Sequence, residues 1–169
     1  IALPAIGFRR IDVDTRDDGF RVRVNDVPVF CRGACWTPLD PVSLRGTPQQ
    51  AADAIATVRA AGMNMLRVAG PMVYEDDAFF EACDAQGVLV WQDLMFANMD
   101  FPFDDPAFAA SVEAEVRQQL GRLRGRPSVA IVCGNSEVAQ QAAMWGADRA
   151  LIDGHPFGPL AGDLFASRD

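Results

Sequence analysis

Polar, aromatic and ionisable side chains follow the apolar segments that this sequence offers as β-strands. They are Trp36, Asp40, Arg67, Trp91, Gln92, Asp93, Asn135, Ser136 and Glu137. Glu137 follows the apolar residues 130–133, so we expect its carboxyl at the mouth of a buried strand and partly desolvated. Desolvation raises the pKa of a carboxyl, which a general acid working near neutral pH requires. The alternative is an exposed loop glutamate without a role.

Five other side chains of this set have two interpretations each. Arg67 lies among apolar residues and must be paired, either in a structural ion pair or with a catalytic carboxylate. Trp36 and Trp91 either stack on the face of a sugar or belong to the core. Asp40 and Asp93 either accept hydrogen bonds from sugar hydroxyls or serve in surface turns and caps.

Short strands and then helices are predicted to position these residues. Residues 20–24 alternate between apolar and basic types, and Asn25-Asp26 then predicts a hairpin turn before a strand over residues 27–32. Residues 8–14 offer a further short strand. Thr47 predicts a helix cap, with Pro48 as first helical residue and Gln50 completing a capping box.

Further helices are predicted over residues 76–86, ended by Gly87, and from Asp105-Pro106 onward. Strands are predicted over residues 63–68, 88–91 and 129–133, after a first strand that ends near residues 32–33. This alternation predicts an α/β fold with a parallel sheet. A phosphate-binding glycine turn, expected of an open doubly wound sheet, is missing after the strands. Polar residues at the carboxyl ends of strands favour part of a (β/α)8 barrel.

Composition excludes several other functions. The net charge is -8 and all 15 basic residues are arginine, which argues against a nucleic-acid partner. The sequence holds no apolar run long enough to span a bilayer, so we expect no membrane contact. The four cysteines lack metal-ligand spacing, and His155 is the one histidine, so we expect no metal and no cofactor. Residues 1–4 lack an initiator Met, and we expect the chain to belong to a longer one.

Five segments in order resemble the first half of the β-mannosidases of glycoside hydrolase family 2. They are RGACWTPLD (32–40), GMNMLRV (62–68), VYEDDAFF (73–80), GVLVWQDLMF (87–96) and PSVAIVCGNSE (127–137). The resemblance implies that residues 1–28 are the last strands of an immunoglobulin-like domain and its lead-in. It also implies that residues 29–169 are the N-terminal half, about four βα units, of a TIM-barrel glycosidase domain.

The function that this resemblance implies is hydrolysis of terminal β-linked sugars, above all β-mannosides, by a retaining exo-glycosidase. Glu137 corresponds to the family's general acid/base, and Arg67 to the arginine that orients its nucleophile. The resemblance assigns substrate binding to further residues: Trp36, Asp40, Trp91, Asp93, Asn135 and Ser136. The expected partners are a carbohydrate substrate and the rest of the parent chain.

The resemblance is incomplete in two respects. A retaining hydrolase needs a second carboxylate about 5 Å away, and the family takes it from a seventh strand, beyond residue 169. We therefore expect the isolated chain to be inactive, with open sheet edges that favour self-association. Ser136, Ala69 and Val132 stand where the family has Asn, Trp and Trp, so a non-catalytic carbohydrate-binding or structural module is the alternative. The exact sugar, the aglycone and the compartment stay open.

Overall fold

The computed structural model describes residues 7–99 and 101–148. The described chain holds a three-stranded sheet followed by a four-stranded sheet with helices between its strands. Residues 1–4 and His155, on which the sequence analysis made predictions, lie outside the described residues. The α/β class predicted from the sequence is confirmed in this form: a parallel sheet with short antiparallel strands before it.

The first sheet is the predicted antiparallel hairpin with a strand added in front. Its strands are β1 (Ile11–Asp14), β2 (Arg21–Val24) and β3 (Val27–Pro28), in the order β1-β2-β3. Val24 pairs with Val27, which leaves Asn25 and Asp26 as a two-residue turn. Both turn residues have positive φ, 49° and 68°, as the tight hairpin turn that matches strand twist requires.

The second sheet has the order β4-β5-β6-β7, and a helix separates each strand from the next along the chain. Helix α4 follows β7 and has no counterpart in the sequence predictions. The elements are β4 (Gly33–Trp36), α1 (Pro48–Ala60), β5 (Met65–Val68), α2 (Asp77–Gln86), β6 (Leu89–Asp93), α3 (Pro106–Leu123), β7 (Val129–Cys133) and α4 (Val138–Met144).

The predicted first strand of the parallel sheet was placed too early in the chain. The sequence predicted one strand over residues 27–32, whereas β3 stops at Pro28 and β4 begins at Gly33. Pro28 has no backbone N–H to continue an antiparallel ladder. Asn64 holds the segment between them, accepting from the N–H of Arg32 at 2.7 Å and donating to the carbonyl of Phe30 at 3.0 Å.

The helices begin and end where their capping residues predicted. The Thr47 side chain accepts from the N–H of Gln50, whose own side chain accepts from the N–H of Thr47, so the predicted capping box is present. The Asp76 side chain caps α2 by accepting from the N–H of Phe79, and the Asp105 side chain caps α3 by accepting from those of Ala107 and Phe108. Gly87 ends α2 in the left-handed conformation, with φ of 68°, which glycine adopts without a side-chain clash.

The described residues form two compact units. The first holds residues 7–68, 74–91 and 125–131, and its core is made by α1, α2 and the strands of the sheet. Ile55, Phe80, Cys83, Val68 and Val90 are fully buried there. The guanidinium of Arg126 forms ion pairs with three carboxylates of α2. Its partners are Asp77 at 3.0 Å, Asp84 at 3.5 Å and Glu81 at 3.8 Å.

The second unit holds residues 69–73, 92–99, 101–124 and 132–148. The phenylalanines after β6 pack into one aromatic cluster with Phe108 of α3. Phe96 and Phe101 meet edge to face at 5.3 Å, and Phe103 lies 5.6 Å from Phe108. No helix of the described residues has both the length and the apolar composition to cross a bilayer.

Gly33 permits a close approach of β4 to β5. The two strands pair in parallel from Gly33 opposite Met65 to Trp36 opposite Val68. A side-chain carbon at position 33 would overlap the backbone carbonyl of Met65. The strands must therefore separate if residue 33 is anything but glycine.

We predict that Gly33→Ala lowers the free energy of unfolding by about 1 to 3 kcal/mol, the usual cost of forcing extra atoms into a packed site. Gly121→Ala is the matched control. Its added carbon would meet no atom within 4 Å, and alanine in the interior of α3 is favoured over glycine by up to about 1 kcal/mol. Urea unfolding of both variants, followed by circular dichroism, would contradict this prediction if the two changes had the same sign.

Candidate active site

Trp36 is the last residue of β4, and its indole ring is held on two sides within the first unit. The ring packs against Phe79 of α2 with centroids 4.9 Å apart and the planes inclined by 45°. Its Nε1–H donates to Oε1 of Glu75 at 2.8 Å. The side chain is only 7% exposed. Trp36 therefore has the burial of a core residue, together with a polar contact at its edge.

Glu75, which the sequence analysis did not single out, is the acceptor for this indole. It directly precedes Asp76, the N-cap of α2, and is half-buried. Burial raises the pKa of the Glu75 carboxyl, and the hydrogen bond from Trp36 opposes part of that rise. The sequence contained one weak indication that Glu75 has a separate role, because a carboxylate directly before a capping Asp is not needed to start a helix. Which aromatic residue it meets depends on tertiary structure.

Asp40 organises the turn that follows β4. Its carboxylate accepts hydrogen bonds from the backbone N–H groups of Val42 at 2.8 Å and Ser43 at 3.3 Å. These bonds lower the pKa of Asp40, with the bond from Val42 contributing most. The side chain is exposed. The turn role is therefore present, and binding of sugar hydroxyls by the same carboxylate stays a prediction.

Arg67 and Trp91 come together on neighbouring strands β5 and β6. The guanidinium carbon of Arg67 lies 5.6 Å from the centroid of the Trp91 ring, within the range of a cation–π interaction. Both side chains are half-buried. The indole N–H of Trp91 is buried and has no hydrogen-bond partner among the described residues. The sequence analysis considered a carboxylate for Arg67, and the aromatic partner is an addition to it.

In the second unit, Asp93 ends β6 and is fully buried. Its Oδ2 accepts from the backbone N–H of Gly70 at 3.3 Å. The neighbouring Gln92, also fully buried, donates from Nε2 to the carbonyl of Asp93 at 2.8 Å. The Oε1 of Gln92 has no partner within the described part of the chain. Buried polar atoms cost free energy unless they are hydrogen-bonded. The polar residues at the end of β6 therefore reduce the stability of the fold.

Asn135 and Ser136 lie in the loop after β7, and backbone pairing fixes their position within the second unit. The N–H of Ser136 donates to Phe96 at 2.9 Å, and its carbonyl accepts from Asn98 at 3.0 Å. Ala97 and Ser136 thus form a parallel bridge beyond the ends of the strands. Cys133 Sγ donates to the carbonyl of Asn135 at 2.9 Å. Both loop residues are half-buried.

Glu137 departs from the sequence expectation, because its side chain is exposed. The predicted partial desolvation of this carboxyl is therefore wrong for the chain as described. The residue adopts the left-handed conformation, with φ of 60° and ψ of 16°, at the N-cap of α4. This conformation turns the chain out of the loop, and the side chain makes no capping hydrogen bond. None of the described elements covers it.

The described residues hold no cluster of three or more His, Cys, Asp or Glu side chains that could bind a metal ion. Cys31, Cys35, Cys83 and Cys133 are all free thiols. Cys83 lies on α2 in the first unit and is fully buried. Burial raises the pKa of its thiol to about 12, with smaller contributions from the charges of Asp84 and Glu75.

Comparison with known proteins connects these features to one group of enzymes. The chain is 39% identical over 155 residues to β-mannosidase B of Aspergillus niger, an alignment that covers 89% of this chain and 18% of that protein. It is 41% identical over 118 residues to the β-mannosidase of Mus musculus, covering 70% and 13%. The crystal structure of a β-D-mannosidase from Dictyoglomus thermophilum superposes with a TM-score of 0.85 at 34% identity, covering 97% and 21%. No family model matches the chain.

These similarities support a glycosidase as the class of protein. The chain belongs to glycoside hydrolase family 2 and is β-mannosidase-like. It spans only part of the length of these relatives: 18% of the Aspergillus niger protein, 13% of the Mus musculus protein and 21% of the Dictyoglomus thermophilum chain. The resemblance found from the sequence motifs is therefore confirmed at the level of the family.

We predict that Cys83 resists alkylation in the native chain while Cys35, which is exposed, reacts readily. Because the thiolate is the reactive species and the pKa of Cys83 is about 12, only roughly one Cys83 thiol in a thousand is ionised near pH 9. Labelling of Cys83 should rise as the pH approaches 12. Peptide mapping by mass spectrometry after brief exposure to iodoacetamide measures this, with denatured chain as the control. Equal labelling of Cys35 and Cys83 near pH 8 would contradict it.

Proposed function

We propose that this chain is the N-terminal half of the catalytic (β/α)8 barrel of a retaining exo-glycosidase that hydrolyses terminal β-mannosides, with Glu137 as general acid/base. The names of the relatives, β-mannosidase in each case, support the substrate class. Residues 1–28 are then the last strands of an immunoglobulin-like domain and its lead-in, and residues 29–169 belong to the barrel domain.

The conformation of Glu137 is the observation that carries the assignment. A non-glycine residue in the left-handed region costs of order 1 kcal/mol or more, and such residues cluster at functional sites. Of the six other described non-glycine residues with positive φ, five are Asn or Asp, which tolerate it. Glu137 also occupies an N-cap position without capping α4. The local structure therefore gains nothing from this carboxylate, which supports a role in chemistry.

The sheet supports the barrel. Its four strands follow one another in sequence order, whereas an open doubly wound sheet reverses its order at the ligand site. Strands β4 and β7 are the two edges of the described sheet. We propose that strands from the remaining length of the relatives pair with both edges and close the barrel. Pairing between two copies of this chain is the other way to cover them.

The proposed substrate-binding residues are those that end or follow the parallel strands. Arg67 would orient the nucleophile, and its cation–π contact with Trp91 would hold the guanidinium. The other members of the set are Trp36, Asp40, Trp91, Asp93, Asn135 and Ser136. Buried polar groups such as those of Asp93 and Gln92 are costly in a simple core, and they are useful where hydroxyl groups bind.

Two parts of the mechanism require residues outside this chain. Retaining hydrolysis needs a carboxylate nucleophile about 5 Å from the acid/base, which we propose lies on the seventh strand of the barrel. The exposed carboxyl of Glu137 must also become partly buried, as a general acid at work in a closed sugar site requires. Closure of the barrel around the substrate would do this. The reaction needs no metal or cofactor.

The second candidate is a carbohydrate-binding or structural module on the same scaffold. Three residues favour it, since Ser136, Ala69 and Val132 replace Asn, Trp and Trp of the family pattern. The loss of two aromatic walls alters the pocket, and serine has a shorter reach than asparagine. A longer parent protein without a carboxylate on its seventh barrel strand would support this candidate.

We predict that the pure 169-residue chain does not hydrolyse an aryl β-mannoside, because the carboxylate that we propose for the glycosyl-enzyme step lies on a barrel strand outside it. Release of the aryl alcohol, followed by absorbance, is the measurement. The longer protein that includes this chain serves as the positive control. If the pure chain still hydrolysed the substrate after repurification, the proposal that the nucleophile lies outside this chain would be wrong.

We predict that Glu137→Ala in the longer protein lowers kcat/KM by roughly 100-fold to 10,000-fold for substrates with poor leaving groups, the usual contribution of a general acid. Activated aryl mannosides should lose much less, since their leaving groups depart without a proton. Glu113→Ala is the matched control, because Glu113 is an exposed carboxylate in an ion pair with Arg117 on α3. Equal losses across leaving groups would reject Glu137 as the acid.

A further inference from the structure

The indole N–H groups of Trp36, Trp91 and Trp145 have different surroundings. That of Trp36 donates to a carboxylate, Glu75, at 2.8 Å. That of Trp145 donates to the amide oxygen of Gln141 on α4 at 3.3 Å. That of Trp91 is buried without a partner among the described residues. The contact of Trp36 is the shorter of the two bonds and involves a charged acceptor, which makes it the stronger one.

Glu75 is a poor choice of residue for stability alone. Its carboxyl is half-buried, so ionisation there is opposed by desolvation and by the neighbouring charge of Asp76. The buried thiol of Cys83 on α2 also senses the charge of Glu75. A glutamine would offer the same acceptor oxygen to Trp36 without a charge.

Two contacts together fix the orientation of the Trp36 ring. Phe79 packs against the ring at an inclination of 45°, which sets its plane. The bond to Glu75 fixes the direction of the indole edge, so the ring cannot rotate within that plane. Trp36 itself ends β4, opposite Val68 of β5. A ring held in this way is preorganised for contact with a ligand.

We propose that Glu75 is a positioning residue that holds the Trp36 indole in the orientation needed at the sugar subsite. This inference rests on the proposed function for its ligand and on the described contacts for its geometry. Glu75 acts through Trp36 and does not itself touch the substrate.

The first test observes the contact in the 169-residue chain by nuclear magnetic resonance of its ¹⁵N-labelled indole groups. The Trp36 resonance, assigned by Trp36→Phe, should move with pH as Glu75 titrates, at a pKa above the usual value of about 4.3. Glu75→Gln should abolish this titration and Glu75→Leu should shift the resonance toward that of an unbonded indole. The Trp145 resonance, bonded to a neutral amide, is the internal control.

Glu81→Gln is the matched variant, since Glu81 is an exposed carboxylate on the same helix, and it should leave the Trp36 resonance unmoved. A Trp36 resonance that keeps its titration in both Glu75→Gln and Glu75→Leu would overturn the proposal. So would a resonance that responds equally to Glu81→Gln. Neither result would bear on the role of Glu137.

The second test separates positioning from simple stabilisation in the longer protein. Glu75→Leu should lower kcat/KM for an aryl β-mannoside by roughly 10-fold to 100-fold, the scale of a displaced binding group, mainly through KM. Glu75→Gln should recover most of this loss because its oxygen accepts the same bond. Equal KM values in wild type and Glu75→Leu would overturn the positioning role. An inactive wild type would reject the proposed function and the sugar subsite with it, while the resonance data would still decide the contact.

Discussion

The parallel pairing of β4 with β5 is the constraint on which the first unit depends. Gly33 lets the two backbones approach until a side-chain carbon would overlap the carbonyl of Met65. Asn64 reinforces this approach by binding the backbone of the segment that leads into β4. The register that results sets Trp36 opposite Val68 and Cys35 opposite Arg67. A slip of β4 by one residue would turn the Trp36 side chain to the opposite face of the sheet.

The ends of the parallel strands carry polar or charged side chains with defined contacts. Trp36 meets Glu75 and Phe79, and Arg67 lies over Trp91. At the end of β6 a buried Asp93 receives the backbone N–H of Gly70. Each of these contacts places polar or charged atoms where the neighbouring positions of the strand are apolar. Burying polar atoms costs free energy in a core. Ligand sites usually combine apolar walls with a few polar groups of this kind.

Local signals in the sequence predicted most elements because local interactions decide them. A capping box at Thr47, the capping Asp at residues 76 and 105, and the positive φ of Asn25 and Asp26 each depend on residues only a few positions apart. The family motifs likewise predicted the family. The start of β4 was misplaced because it depends on Asn64, about thirty residues along the chain, and no nearby residue marks it. Helix α4 was not predicted because no side chain caps its N-terminus.

By itself the sequence determined the order of the strands and of helices α1 to α3, most of their ends, and the family with its candidate residues, since spacing and side-chain type suffice for these. Only the tertiary structure decided that Trp36 bonds to Glu75, that Asp93 is fully buried, and that Glu137 is exposed. Burial and partner choice depend on which distant segments pack together. The desolvation expected for Glu137 failed for this reason, because a strand end is dry only when other elements cover it.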